Sequence, residues 1–219
     1  MIHINDVGIK GACIFYNGAL IRDTATGETL YQRYLGRELA ADILSFFHDR
    51  GWYVQMYCDD KLVVMDDADE RCKFYENICG QKAVALGERF WTCGCDSAKM
   101  LGVSFDKELF AKMCDDVRRE FGSRIYQATS WNAFIEMVHP SVNKAESLRR
   151  VCELYGVARE DVMAIGDGGN DAEMIRWAGT GVAMGNARDA VKEAADIVAP
   201  PNTEDGAAQI VEAALAAKE

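Results

Sequence analysis

Val162-Met163-Ala164-Ile165-Gly166-Asp167-Gly168-Gly169-Asn170-Asp171-Ala172-Glu173-Met174 reads as a strand, a glycine turn and the start of a helix. The apolar run through Ile165 has the length and composition of a buried strand, and it ends on an Asp. Gly168 and Gly169 turn the chain and leave room for the backbone to approach a ligand closely. Asp171 then opens a helical pattern. The two carboxylates therefore leave the carboxyl end of a strand, where open α/β sheets bind ligands. Carboxylates are hard oxygen donors, suited to magnesium rather than to a soft metal. Asp167 reads as a direct magnesium ligand and Asp171 as a second one, direct or through water, with Asn170 orienting Asp171 or capping the helix. An acidic helix N-terminus stabilised by its dipole would account for Asp171 and Glu173, but not for the strand-end Asp167. A glycine–aspartate calcium repeat needs stacked copies, and here a single copy runs into a helix.

Working outward, the C-terminal part alternates regularly. Helical patterns fall near 144–155, 171–178, 188–195 and 205–217, and strands near 162–166, 180–184 and 196–199. That rhythm predicts an α/β fold with a parallel sheet and helices on its faces. Upstream the pattern is mixed. Strands are expected at 11–16, 29–34, 52–58, 62–65, 99–105, 124–129 and 133–138, with turns at Asn17-Gly18 and Asp59-Asp60. Helices are expected over 36–50, 67–79 and 106–121, stopped by Gly51, Gly80 and Gly122. Residues 82–91 fit no single template.

The G-D-x-x-N-D-x-x-M pattern, followed by Gly181-Val182-Ala183-Met184-Gly185-Asn186-Ala187, resembles the fourth motif of the haloacid-dehalogenase-like hydrolases, more narrowly the Cof-type (subclass IIB) phosphatases. Residues 132–215 are similar to that family's C-terminal core, and Cys13-Ile14-Phe15-Tyr16-Asn17-Gly18-Ala19-Leu20-Ile21 resembles the segment leading into its large inserted cap. The resemblance implies a Rossmann-like parallel-sheet core lacking its N-terminal strands, with an α/β cap. It divides the chain into a core remnant at 1–18, the cap at 19–131 and the C-terminal core at 132–219. It also makes Lys144 the family's third-motif lysine, a catalytic and substrate-binding cation, although Asn143 and Ala145 stand where the family more often has Ser and Gly. A surface lysine on a helix is the plain alternative. Asn170 and Asn186 become substrate-binding candidates, Asn186 equally a brace for the metal loop. Asp196 and Asp205 follow the family's ending, although a turn and a helix cap account for them equally.

The implied activity is Mg2+-dependent hydrolysis of a phosphomonoester, a sugar phosphate or similar small metabolite. The family's nucleophile lies in a D-x-D-x-[TV] motif on an earlier strand, and its second motif is a Ser or Thr ending the next strand. Neither has a counterpart before Cys13. Asp67-Ala68-Asp69 follows an apolar run but leads into Glu70-Arg71, and reads as an acidic turn opening a helix; Asp115-Asp116 is a looser candidate still. The expectation is an impaired or inactive phosphatase. The alternative is a non-catalytic fragment or pseudoenzyme that binds a phosphorylated ligand or a partner chain. Loss of a central strand would also expose apolar edges near Ile165 and Val182 and favour self-association.

The net charge of −11 and the lack of any basic run make nucleic acid and anionic membranes poor partners. No apolar stretch approaches the roughly 20 residues of a membrane span, and Met1-Ile2-His3-Ile4-Asn5-Asp6 does not read as a secretory signal. Eight scattered cysteines then suggest reduced thiols and a cytoplasmic chain. Cys93-Gly94-Cys95 could hold zinc only with further ligands, Cys79 being the nearest in sequence. Trp52, Tyr57, Trp91 and Trp131 are the aromatics able to line a sugar pocket, with core packing as their simpler role.

Overall fold

Tyr16, Asn17 and Gly18 all take positive φ and turn strand β1 (Ala12–Phe15) back onto β2 (Leu20–Asp23). The pair is antiparallel, with Ile14 opposite Ile21, and β3 (Thr29–Gln32) adds on the far side of β2. The structure is a computed structural model that describes residues 8–217; the expectation for residues 1–7 lies outside them. Two units emerge, Met1–Val142 and Asn143–Glu219.

The first unit also contains a six-stranded sheet in the order β6-β5-β4-β7-β9-β8. Its strands are β4 (Val54–Cys58), β5 (Lys61–Val64), β6 (Ala83–Ala85), β7 (Met100–Val103), β8 (Tyr126–Ser130) and β9 (Phe134–Val138). All neighbours are antiparallel except β5 and β6. Asp59 and Asp60, at φ 50° and 59°, make the two-residue hairpin between β4 and β5, the left-handed pair such a turn requires. Side-chain alternation splits the core in two. Val54, Met56, Met100, Ile135 and Met137 pack on one face with helices α1 (Arg37–His48) and α3 (Lys107–Phe121). Tyr57, Leu62, Leu101, Val103 and Phe134 pack on the other with Tyr75 of α2 (Glu70–Cys79). Gly102 has to be a glycine: a Cβ there would stand 2.6 Å from Cε1 of the fully buried Phe47.

Helix starts and stops follow local chemistry. Asp69 and Asp106 accept from the backbone N–H groups of Arg71 and Leu109, and Gly80 closes α2 in the left-handed conformation. The Asp67-Ala68-Asp69 stretch is therefore a helix cap, with Asp69 further tied to Arg71 at 2.6 Å.

Residue 18 lies inside the β1–β2 turn. β9 pairs along its whole length with β8 and over residues 134–137 with β7, and the chain divides into its two compact units after Val142. Alternating apolar residues at 134–138 serve a core strand of either unit equally well, and only pairing distinguishes them.

The second unit is an α/β layer. β10 (Met163–Gly166), β11 (Thr180–Ala183) and β12 (Ile197–Val198) form a parallel sheet in that order. Helices α4 (Lys144–Tyr155), α5 (Ala172–Trp177), α6 (Asp189–Lys192) and α7 (Gly206–Ala216) accompany it. Ala183 packs with Ile175 and Val191, whereas Val182 packs with Met184, Ala199 and Ile210. Val182 is fully buried in the middle strand, which corrects the expectation of an exposed edge there. The edges are β10 and β12, neither of which has a strand on its outer side among the described residues. No helix among the described residues is long and apolar enough to cross a membrane.

Glu76 of α2 is buried and joins the helix to β6, accepting from Ala83 N at 2.8 Å and Lys82 Nζ at 3.0 Å. The Ala83 N–H, then the Lys82 ammonium, hold its carboxyl down at about 2 against an ordinary 4.5. A depressed folded value stabilises above the unfolded one and is lost as the group protonates in the fold. Glu76→Gln is therefore expected to cost about 1–2 kcal/mol at neutral pH. That gap should close as pH falls from about 4.5 towards about 2, read from urea unfolding across that range.

Candidate active site

The site begins at the carboxyl end of β10. Met184 N donates to Gly166 O at 2.9 Å, so β11 holds the strand end in place, and Asp167 leaves it exposed to solvent. Gly168 is extended (φ −85°, ψ 157°), and residues Gly169–Asp171 form one 3-10 turn before α5. Neither glycine of the turn needs a positive φ. Gly166 and Gly168 answer a different requirement: a Cβ on Gly166 would lie 2.5 Å from Asp171 Cβ, and one on Gly168 2.5 Å from Asn170 Oδ1. The glycines clear space for the Asp171 carboxylate to fold back under its own loop.

Asp171 is buried and both of its oxygens are engaged. Oδ2 accepts from Asp167 N at 3.1 Å and Gly168 N at 2.9 Å, while Oδ1 accepts from Lys144 Nζ at 2.5 Å. Lys144 is the first residue of α4, and Asn143 caps that helix by accepting from Glu146 N at 2.7 Å. Ser147 Oγ adds a bond to Asn143 O at 3.1 Å. The Asn at 143 thus anchors the helix start that carries the lysine.

Asp167 is held from the other side. Its Oδ2 accepts from Asn186 Nδ2 at 2.9 Å, and Asn186 Oδ1 in turn accepts from Asn202 N at 2.9 Å. Its Oδ1 has no hydrogen bond among the described residues. All five residues singled out in the sequence, Lys144, Asp167, Asn170, Asp171 and Asn186, thus meet around one loop. Asn170 is buried with its amide oxygen over Gly168. Asn202, which anchors Asn186 through its backbone, carried no sequence signal, since any non-proline residue offers that N–H. Asp196 is structural: its Oδ2 accepts from Gly181 N at 2.8 Å. Asp205 occupies the N-cap position of α7 but makes no side-chain cap bond.

The donor set fits a magnesium ion in a limited way. Asp167 offers one unengaged oxygen at a solvent-facing position, whereas Asp171 already accepts from a lysine and two backbone N–H groups. Among the described residues no third carboxylate or histidine joins them. Magnesium typically takes only one or two protein carboxylates and keeps waters and phosphate oxygens as its remaining ligands.

Elsewhere, within the first unit, Tyr57 lines a cavity of about 410 Å3 with Phe15, Tyr16, Arg22, Asp60 and Gln81. Trp52 and Trp91 line a second of about 350 Å3 with His48, Asp69 and Arg71. Trp131 is 65 % exposed.

A parallel α/β layer with a lysine-paired carboxylate at one strand end is the architecture of a phosphate-handling hydrolase. The chain belongs to the haloacid dehalogenase-like hydrolase family, whose profile matches residues 2–211. A haloacid dehalogenase-like hydrolase from Bacteroides thetaiotaomicron is similar over 96 % of this chain and 80 % of its own, at 28 % identity and a TM-score of 0.84. A Bacillus subtilis 5-amino-6-(5-phospho-D-ribitylamino)uracil phosphatase is 26 % identical over 91 % of this chain and 77 % of its own length. Another phosphatase of that name from the same organism is 41 % identical over 48 % of this chain and 42 % of its own length. The fold is also that of a subclass IIB sugar phosphatase, with a TM-score of 0.79 over 96 % of this chain and 78 % of that one at 23 % identity.

Removing the lysine leaves a buried carboxylate without its counter-charge. Because the lysine side chain is 29 % exposed, the full buried-pair cost is discounted. Lys144→Ala is expected to lower stability by about 2 kcal/mol, whereas the exposed Asp167→Asn should change it by less than about 0.5 kcal/mol, both measured by urea unfolding.

Proposed function

We propose that this chain carries the cation-binding side of a phosphomonoesterase site acting on a small phosphorylated metabolite, with Mg2+ as the cofactor. The observation that carries the reading is the division of labour between the two carboxylates. Asp171 is neutralised and immobilised by Lys144 and the loop backbone, while Asp167 keeps a free oxygen facing solvent. Two carboxylates and one ammonium leave a single net negative charge at the loop. A divalent cation reverses that sign, which suits a phosphoryl dianion.

Within this arrangement Asp167 would hold the ion, and Asp171 would act on it through water. When bound, magnesium supplies Lewis-acid stabilisation of the phosphoryl oxygens. Lys144 presents its remaining N–H donors to the transferring group, and Asp171 fixes where that ammonium points. Asn186 positions Asp167 rather than binding substrate, since its amide is used at both ends. Asn170 shapes the loop from below. Asp69, the sequence's nearest match to the attacking Asp of the family's D-x-D-x-[TV] motif, serves as a helix cap. A second reading is a ligand-binding chain without catalysis, in which Lys144 and the loop hold a phosphorylated ligand without turning it over. The substrate class is a sugar phosphate or a similar small metabolite. The phosphorylated ribitylamino-pyrimidine for which several relatives are named is one member of that class.

Thermal unfolding of the full chain with Mg2+ and orthophosphate together tests the binding reading. Each ligand near 100 times its Kd should stabilise by about 2.7 kcal/mol. The rise in Tm should vanish in Asp167→Asn and shrink in Lys144→Met, each compared with its own ligand-free baseline. Equal shifts in parent and Asp167→Asn would reject the site. A parallel assay with an aryl phosphate separates the two readings, since Mg2+-dependent hydrolysis lost in Asp167→Asn would exclude the non-catalytic one.

A further inference from the structure

The cysteines hold a second site that the phosphate chemistry does not use. Cys58 ends β4, Cys93 closes a 3-10 turn over Gly87–Thr92, and Cys95 follows two residues later. Their three sulfurs lie within 4.8 Å of one another. Cys79, the partner the spacing pointed to, is not among them. It lines the cavity next to Tyr57 instead.

Backbone bonds independent of any sulfur contact build this cluster. Leu35 and Ser97 exchange N–H···O bonds of 2.9 and 3.0 Å, and Asp96 Oδ1 accepts from Arg37 N at 2.8 Å. Ser97 Oγ donates to Tyr57 O at 2.9 Å and Ala98 N to the same oxygen at 3.1 Å. The residue before Cys58 is thereby tied to the second and third residues after Cys95. At the other end Cys93 N donates to Phe90 O at 3.1 Å. Three thiols on three separately anchored positions form a prepared donor set.

Cys58 and Cys95 are joined as a disulfide in the structure, with a Cα separation of 6.3 Å, and Cys93 stands free beside them. A crosslink needs two sulfurs, and here a third is brought to the same point. Cys13, Cys72, Cys79, Cys114 and Cys152 are also free. So many unpaired thiols in one chain suit reducing surroundings, where an isolated disulfide does not persist.

We propose that Cys58, Cys93 and Cys95, when reduced, bind a soft thiophilic cation of the zinc type. A thiol reductant delivers two electrons and two protons to the Cys58–Cys95 bond, giving two thiols. A divalent cation then displaces three protons from the three thiols and forms three metal–sulfur bonds, with water completing the tetrahedral shell. Hard ions such as magnesium have no comparable affinity for three thiolates, so the two sites select different metals. The bound complex carries one excess negative charge, and the Arg37 side chain runs 3.5 Å from where a Cβ on Gly94 would stand. Loading would fix Cys58 and, through it, the Asp59–Asp60 hairpin. Asp60 accepts there from Arg22 at 2.9 Å and Tyr16 at 3.1 Å in the wall of the 410 Å3 cavity.

Cobalt titration of the full chain under a phosphine reductant reads the site, because thiolate ligation gives intense charge-transfer absorption that carboxylate ligation does not. One equivalent of Co2+ should produce that band and one equivalent of Zn2+ should abolish it. Cys93→Ser should weaken binding at least about tenfold, while Cys79→Ser and Cys152→Ser leave it unchanged. Without any variant, Zn2+ should protect Cys58, Cys93 and Cys95 from alkylation in a peptide map and leave Cys13 and Cys79 reactive. No band in the reduced chain would overturn the proposal, as would a band undiminished in a folded Cys93→Ser or protection of other cysteines. A Cys58–Cys95 crosslink that re-forms in air without metal uptake on reduction would overturn it in favour of a plain disulfide.

Discussion

The second unit depends on how the Asp171 carboxylate is satisfied. A charged group this buried is stable only if its lone pairs are filled and its charge is met. Two loop N–H groups and the Lys144 ammonium do both. The same three contacts give the loop its shape. They pull residues 167–168 inward, require Gly166 and Gly168 to lack side chains, and tie the start of α4 to the end of β10. The outward-facing carboxylate is a by-product of solving that local electrostatic problem. With Asp171 turned inward, Asp167 is turned out.

This arrangement explains why two acidic residues four apart do different work. Had both faced solvent, their mutual repulsion and that of a phosphate dianion would add. Neutralising one leaves a single unpaired carboxylate, which a hydrated divalent ion can bridge to a phosphoryl oxygen. Asn186 then removes Asp167's remaining rotational freedom, an amide being able to donate to the carboxylate while accepting from the backbone of residue 202. A serine or alanine at 186 could not span both partners.

The first unit solves a packing problem instead. Its sheet is covered by helices on both faces, and alternation along each strand deals side chains to two separate cores. Phe47 lies close over the bare backbone at Gly102, where no side chain would fit. The hairpins at residues 16–18 and 59–60 are set by left-handed Tyr, Asn, Asp and Gly residues. Both feed the cavity walled by Tyr16, Tyr57 and Asp60, so local turn chemistry shapes that concave surface.

Much of this was legible in the chain itself. The apolar run ending at Asp167, the helix starts at Asp69 and Asp106, and the stops at Gly80 and Gly122 are local events governed by residues a few positions apart. The acidic loop was readable for the same reason, since motif spacing encodes a strand-turn-helix path, whereas Lys144 was singled out through the family resemblance. What lay beyond the sequence were the questions answered only by distant pairing. Whether 134–138 joins β8 or β10, whether Val182 lies at an edge or in the middle of its sheet, and whether Cys79 or Cys58 stands beside Cys93 depend on contacts across tens of residues. Likewise the split roles of Asp167 and Asp171 could not be read from two identical side chains. A side chain's identity sets what it can bind, but only its neighbours in space decide whether its lone pairs are already taken.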